Sequence, residues 1–340
     1  GTFNMYGGAI TENTASYGGG VYVKSGTFNM NGGTITKNTS DKGGGDGSGG
    51  AGVYVEQNGN FIMNNAASVT ENKIKRLSNG GGVYVGSGGT FTMNGTSSVT
   101  NNIADDNSHT LNGGGVYVGS GGNFEMNKNA SVTGNKANRG TALNGAGVYV
   151  SGTKSTFTMN NTASVSDNTA NQGGGVYVSG GSTFTMNGGS ISDSGVSSGR
   201  ESYNTIYNLG TFIANGGAVT NSGSGLYNYA LYTIGILKTE QGSSGTEFFG
   251  TARTGVNGNL FDGGIFNGQV LNYDQISGGT FCGTVTNHNG GVIAGGVFES
   301  GSTVINNGEI TNGTFHGSVT NDGKITGGIF YGTVSGDGTI

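Results

Sequence analysis

The sequence predicts an all-β protein, a right-handed parallel β-helix with three short strands per rung, and three observations carry that expectation. The phrase GVYV recurs at 20–23, 52–55, 82–85, 115–118, 147–150 and 175–178, and between its copies come F-x-M and then S-V-T or T-I-T, always in that order. The interval from one F-x-M phenylalanine to the next is 25 to 33 residues, the repeat length of a solenoid. Within each phrase core-type residues alternate with polar residues or tyrosine, which is the period of a strand. No single phrase is long enough to bury itself. Each must stack on its own copy one repeat later to make a core.

Residues 1–220 hold the long rungs. Stacking at ~4.8 Å lays like over like, with valine, phenylalanine, methionine and isoleucine inward and tyrosine, threonine and serine outward. The phenylalanine column is Phe28, Phe61, Phe91, Phe124, Phe157 and Phe184, each followed two residues on by methionine. From F-x-M to the third strand the spacing is seven or eight residues, and from GVYV to phenylalanine it is five to seven. Length varies only after the third strand: eleven residues separate Val165 from Val176, but eighteen separate Ile35 from Val53. That free corner holds most of the charge, and insertions gathered on one edge of a solenoid often form its binding face.

Asparagine recurs at two further places. Asn31, Asn64, Asn94, Asn127, Asn160 and Asn187 follow F-x-M, while Asn13, Asn38, Asn72, Asn102, Asn135 and Asn168 follow the third strand. Asparagine tolerates the left-handed backbone of a sharp corner, and its amide can bond the matching amide one rung away. Both asparagine rows are therefore expected to be structural ladders. The glycines before V-Y-V are expected to serve tight turns or close backbone approach.

The pattern loosens near 195, and 221–260 is expected to be an irregular adapter or linker. From 261 to 340 a shorter unit, G-G-x-F-x-G-x-V-x-N, places Phe266, Phe281, Phe298, Phe315 and Phe330 fifteen to seventeen residues apart. Whether each unit makes a whole coil or half of one stays open at the level of sequence.

Composition excludes several other classes. In 340 residues there are 75 glycines, no proline, no tryptophan and one cysteine. The glycines fall in no three-residue frame, so collagen is excluded. The lone Cys282 cannot make a disulfide scaffold. No apolar run is long enough for a membrane helix. A net charge of −5 offers no basic face to nucleic acid. The first and last residues fall inside repeats, so the chain is expected to be covalently part of a longer one.

The pairing of G-G-G-V-Y-V with F-x-M-N resembles the GGA[ILV] and FxxN repeats of the polymorphic outer-membrane proteins, whose passengers are β-helical adhesins. Gly7, Gly8, Ala9 and Ile10, followed by Phe28 to Asn31, are the closest local match, although GGGVYV dominates here. The chain also resembles the glycine-rich, pectin-lyase-like repeats of large surface proteins of anaerobic bacteria. The resemblance covers about 200 residues strongly and the last 80 less so. It implies an extracellular setting, on a bacterial cell surface or secreted, and a part in cell adhesion.

Candidate chemistry sits in two places. The row Tyr22, Tyr54, Tyr84, Tyr117, Tyr149 and Tyr177 is expected to form an exposed aromatic stripe, and tyrosine suits both sugar rings and protein partners. Against that stands mutual stabilisation of the rings. The corner loop contributes Asp105, Asp106 and His109, with Arg139 one repeat later; paired acids there could hydrolyse a glycosidic bond, but solvated loop carboxylates are the commoner arrangement. No catalytic residue is assigned. His109, His288, His316 and Cys282 are scattered, so no metal site is assigned, and calcium at Asp41 and Asp46 has no motif behind it. No cofactor is expected.

The function expected is therefore a non-enzymatic adhesin or stalk, binding glycans or host and cell-surface proteins. The competing readings are a β-helical polysaccharide lyase or glycoside hydrolase, a pure spacer and, more remotely, an ice-binding solenoid suggested by rows such as Thr90/Thr92.

Overall fold

A computed structural model describes residues 1–41, 49–75, 79–105, 111–138, 143–192, 203–221, 228–233, 236–238, 246–249, 252–254 and 260–340. Its described residues contain strands and turns and no helix. Every strand pairing is parallel, and each joins a phrase to its copy in the next repeat. The molecule is a parallel β-helix.

Two sheets run the length of the coil. One holds fourteen strands, from Val21–Val23 to Val334–Ser335, and carries the V-Y-V phrases. The other gathers the F-x-M and S-V-T strands. Register is strict: Phe28 lies against Phe61, Phe61 against Phe91, Phe91 against Phe124, and so on to Phe184 and Phe212. From Phe61 to Phe212 these rings are fully buried and stack at 4.8–4.9 Å with planes 7–12° apart. Strand spacing and ring-stacking distance nearly coincide, so backbone pairing and aromatic packing favour one register.

The free corner is more structured than its sequence suggests. After the third strand come Thr14–Ala15, Thr39–Ser40, Lys73–Ile74, Ile103–Asp105 and Lys136–Asn138, which form a five-stranded sheet of their own. Ala104, Ala137 and Ala170 pack with Leu111 and Ala146 into a second, small core. The three strands expected per rung are present, and five of the wide rungs add a fourth short one.

The asparagine ladders form, with one correction. Asn102 Nδ2 donates to Asn135 Oδ1 at 3.0 Å while Asn102 Oδ1 accepts from Asn72 Nδ2 at 2.9 Å, and the column runs unbroken from Asn13 to Asn168. The left-handed backbone, however, belongs to the residue before each asparagine of this column: Glu71 has φ 56°, Asn101 55°, Gly134 68° and Asp167 57°. The preceding residue makes the turn, which aims the asparagine side chain inward along the axis. The other column, Asn31 to Asn187, extends to Asn215.

The third glycine of the corner has no room for a side chain. A Cβ at Gly82 would stand 2.7 Å from the Gly115 carbonyl oxygen, 2.9 Å from Asn102 Nδ2 and 2.9 Å from Val99 Cγ1. Gly82→Ala is expected to destabilise the coil by about 2 kcal/mol through overpacking. Chemical denaturation of the two proteins side by side checks this, and equal midpoints would contradict it.

Two turns of the coil convert a wide rung into a narrow one. Thr183–Ser192 and Thr211–Thr220 each run continuously through the positions of both the F-x-M and the third strand. Beyond them Phe212 pairs with Leu237 and Leu237 with Phe261, while Val219 pairs with Phe248 and Phe248 with Phe266. The described parts of 221–260, expected to be irregular, therefore lie in the two long sheets. The narrow units are whole coils: Phe281 pairs with Phe298 and Phe298 with Phe315, one unit apart. Two former strands have become halves of one seven-residue strand such as Val292–Phe298. Gly296, at φ 103°, lies between them, and a Cβ there would meet the Phe281 ring at 2.9 Å. The phenylalanine column of the narrow coil continues the valine and isoleucine column of the third strand, and the old phenylalanine column becomes isoleucine.

A further buried column appears where the second valine of V-Y-V would stand. Val178 is followed in register by Asn208 and Thr233, then after Thr254 by Asn272, Asn287, Asn306 and Asn321. The amides from Asn272 to Asn321 bond each other at 2.7 Å.

Candidate functional site

The tyrosine row lies in register on the outer face of the V-Y-V sheet, because both flanking valines point into the core. It is longer than the sequence indicated: Tyr207 pairs with Tyr177 and Tyr232 with Tyr207. From Tyr54 to Tyr207 successive ring centroids stand 4.8–5.3 Å apart with planes 3–12° from parallel.

This packing corrects the expected exposure. Tyr22 is 47% exposed, Tyr54, Tyr84, Tyr117 and Tyr149 are half-buried, and Tyr177 is buried at 8%. Neighbouring rings cover each other's faces, so from Tyr84 to Tyr177 the row offers edges and hydroxyls. The hydroxyls lean over the next rung: a Cβ at Gly86 would lie 3.8 Å from Tyr54 Oη, and one at Gly119 would lie 3.5 Å from Tyr84 Oη. Two of the larger residues in that place bond the phenol: Glu56 accepts from Tyr22, and Ser151 bonds Tyr117.

Five phenols of the row are held protonated. The hydrogen bond to Glu56, then burial, pushes Tyr22 up to about 12 from the ordinary 10.0. Burial, with Tyr232 and Tyr177 adding to it, pushes Tyr207 up to about 12. Burial likewise raises Tyr117, Tyr149 and Tyr177. A folded-state value above the unfolded one gives stability that is complete below pH 10 and is lost as pH rises through about 12. Titration followed by phenolate absorbance should show Tyr117, Tyr149, Tyr177 and Tyr207 ionising only as the circular dichroism of the sheet disappears. Ionisation of these four near pH 10, with the sheet intact, would contradict the packing.

The corner candidates divide. Asp105 pairs with Lys73, one rung away, at 2.8 Å, a cross-rung contact that accounts for it structurally. Asp106, His109, Arg139 and Asp46 lie outside the described residues. Glu125 accepts from Asn160 Nδ2 at 3.1 Å. Burial and the charges of Glu299 and Glu247 push the Cys282 thiol up, which disfavours its nucleophilic form. His316 stacks on Tyr331 at 4.8 Å. Among the described residues no three His, Cys, Asp or Glu side chains are grouped as metal ligands, and no helix is long and apolar enough to cross a membrane.

Sequence reasoning missed the end of the row. In register after Tyr232 comes Arg253, its guanidinium carbon 5.5 Å from the Tyr232 ring centre, 5.8 Å from Tyr229 and 4.6 Å from Tyr273. Tyr273 in turn stacks on His288 at 4.1 Å with planes 6° apart. An arginine inside a degenerate stretch, on a strand only three residues long, gives no period to read.

Searches of protein-family models, of curated proteins and of solved structures find no match to this chain.

Proposed function

We propose that this chain is a non-enzymatic segment of a large bacterial surface protein, a stiff rod that acts as an adhesin or stalk and contacts glycans or host proteins. The observation that carries the reading is the register-locked outer row of tyrosines, which repeats one hydroxyl-bearing edge at every rung over eight rungs. Weak sites repeated at fixed spacing on a rigid support gain avidity without any deep pocket. The resemblance to adhesin repeats points the same way, although a solenoid by itself implies no activity.

The half-buried rings change how this is tested. Alanine at Tyr84, Tyr117 and Tyr149 would break the stack as well as any site, whereas phenylalanine keeps the stack and removes the hydroxyls. On a glycan array and on immobilised host matrix proteins, the 340-residue chain is expected to bind, and the variant with Phe at all three positions to lose at least tenfold in apparent affinity. Unchanged binding by that variant rejects the row as the contact surface. The second reading, a pure spacer, is favoured by the covered ring faces and predicts that the chain binds nothing on either surface.

A further inference from the structure

The outer row ends on a charge. Three tyrosine rings, Tyr229, Tyr232 and Tyr273, stand 4.6–5.8 Å from the Arg253 guanidinium carbon. They hold the cation in place against their faces, while the side chain as a whole stays partly exposed. Arg253 Nη1 donates to the Tyr229 hydroxyl at 3.4 Å, a long and neutral contact. Its Nε is buried and makes no hydrogen bond, and among the described residues the guanidinium has no ion pair. His288, stacked against Tyr273, also has a buried and unpartnered Nε2. Two orphaned polar atoms in one aromatic cluster are costly to leave unmade. By contrast, the inward amides from Asn38 to Asn168 and from Asn272 to Asn321 are paired copy to copy.

We propose that Arg253 anchors an oxyanion-recognition site at the end of the tyrosine row, and that its ligand is a sugar unit bearing a carboxylate or a sulfate group. The proposal deepens the adhesive reading and rests on it. A guanidinium offers a planar fork of N–H donors that matches a carboxylate or sulfate bidentately, and it is more weakly hydrated than an ammonium group. Tyrosine edges beside it accept and donate to sugar hydroxyls. Burial and the nearby positive charge of Arg253 push the His288 imidazole down, so at neutral pH Arg253 is the cation of the cluster. The net charge of −5 repels polyanions at long range, so a preference for acidic sugars has to come from this local contact.

The experiment compares three trisaccharides on the whole chain by calorimetry: trigalacturonate, its methyl ester, and a sulfated galactan trisaccharide without carboxylates. The expected result is at least tenfold tighter binding of one or both acidic ligands than of the neutral ester, with Arg253→Gln reducing the acidic ligand to the level of the ester. The two acidic arms show which oxyanion is preferred. Equal binding of acidic and neutral ligands, or an acidic preference that survives Arg253→Gln, overturns the site while leaving the adhesive reading standing. No binding of any trisaccharide here, together with no binding on either the glycan array or the matrix proteins, overturns both. If Arg253→Gln does not fold, the side-chain Nε–H resonance of Arg253 in the unaltered protein decides: a shift on adding the acidic ligand, absent with the ester, supports the site, and no shift rejects it.

Discussion

Phe124→Ala is expected to destabilise the wide coil by about 3–5 kcal/mol, the usual cost of removing a fully buried ring. Phe124 is wholly buried and lies between Phe91, at 4.8 Å, and Phe157, at 4.9 Å, so two stacked contacts go with it. Backbone pairing on both sides keeps the neighbouring rungs at strand spacing, which prevents collapse into the space. A solenoid couples each rung mainly to its neighbours, so the loss should appear as a split in the unfolding curve, with the rungs before and after 124 melting apart. Differential scanning calorimetry reads this directly. A single transition shifted by less than about 1 kcal/mol would mean that the phenylalanine column does not hold the rungs together.

Asn102→Leu is expected to cost as much, for the opposite chemical reason. The volume is nearly kept, but four hydrogen bonds end on this one amide. Asn102 Oδ1 accepts from Asn72 N and Nδ2, and Asn102 Nδ2 donates to Val69 O and Asn135 Oδ1. Leucine leaves the buried Asn72 N–H without its acceptor, at about 1–3 kcal/mol, and takes one bond each from Asn72 Nδ2, Val69 O and Asn135 Oδ1, of which Asn72 Nδ2 keeps Ile35 O and Asn135 Oδ1 keeps the backbone N–H of residue 102. Asn102→Asp separates shape from chemistry, because an ionised carboxylate facing Asn135 Oδ1 is disfavoured and its proton is therefore held more tightly in the folded state. That variant should be more stable at pH 4 than at pH 7, whereas Asn102→Leu should show no such difference between the two. Denaturant midpoints at both pH values check the pair. A leucine variant as stable as the parent would show that the column is ornamental.

The rungs up to 192 were legible because each repeat restates its residues at nearly constant spacing. Phe61, Phe91 and Phe124 announce a column, and Asn72, Asn102 and Asn135 a second one. Other features were hidden for physical reasons. The fourth strand is two or three residues long and in most rungs buries only alanine or serine, so Asn135, Lys136 and Ala137 read as a polar loop. The tyrosines looked exposed because alternation says which side of a sheet a residue takes, not how much its copies cover it. Tyr207, Tyr232 and Arg253 sit where the phrases decay, and only pairing restores their register. The exchange of phenylalanine from one strand to the other between Phe212 and Phe266 cannot be seen from spacing, since both halves of the chain simply show a phenylalanine per unit.

The direction of the amide columns has a consequence for the electrical character of the rod. In the wide coil the column through Asn72, Asn102 and Asn135 donates toward the C-terminus, while the column through Asn64, Asn94 and Asn127 donates toward the N-terminus. Their dipoles oppose one another and largely cancel. In the narrow coil Asn272, Asn287 and Asn306 all donate toward the C-terminus, and the described residues show no opposing column. Aligned amide dipoles add, as peptide dipoles do along a helix. The narrow part is therefore polar along its axis, positive toward Asn321, whose Nδ2 donates to the Thr339 carbonyl oxygen.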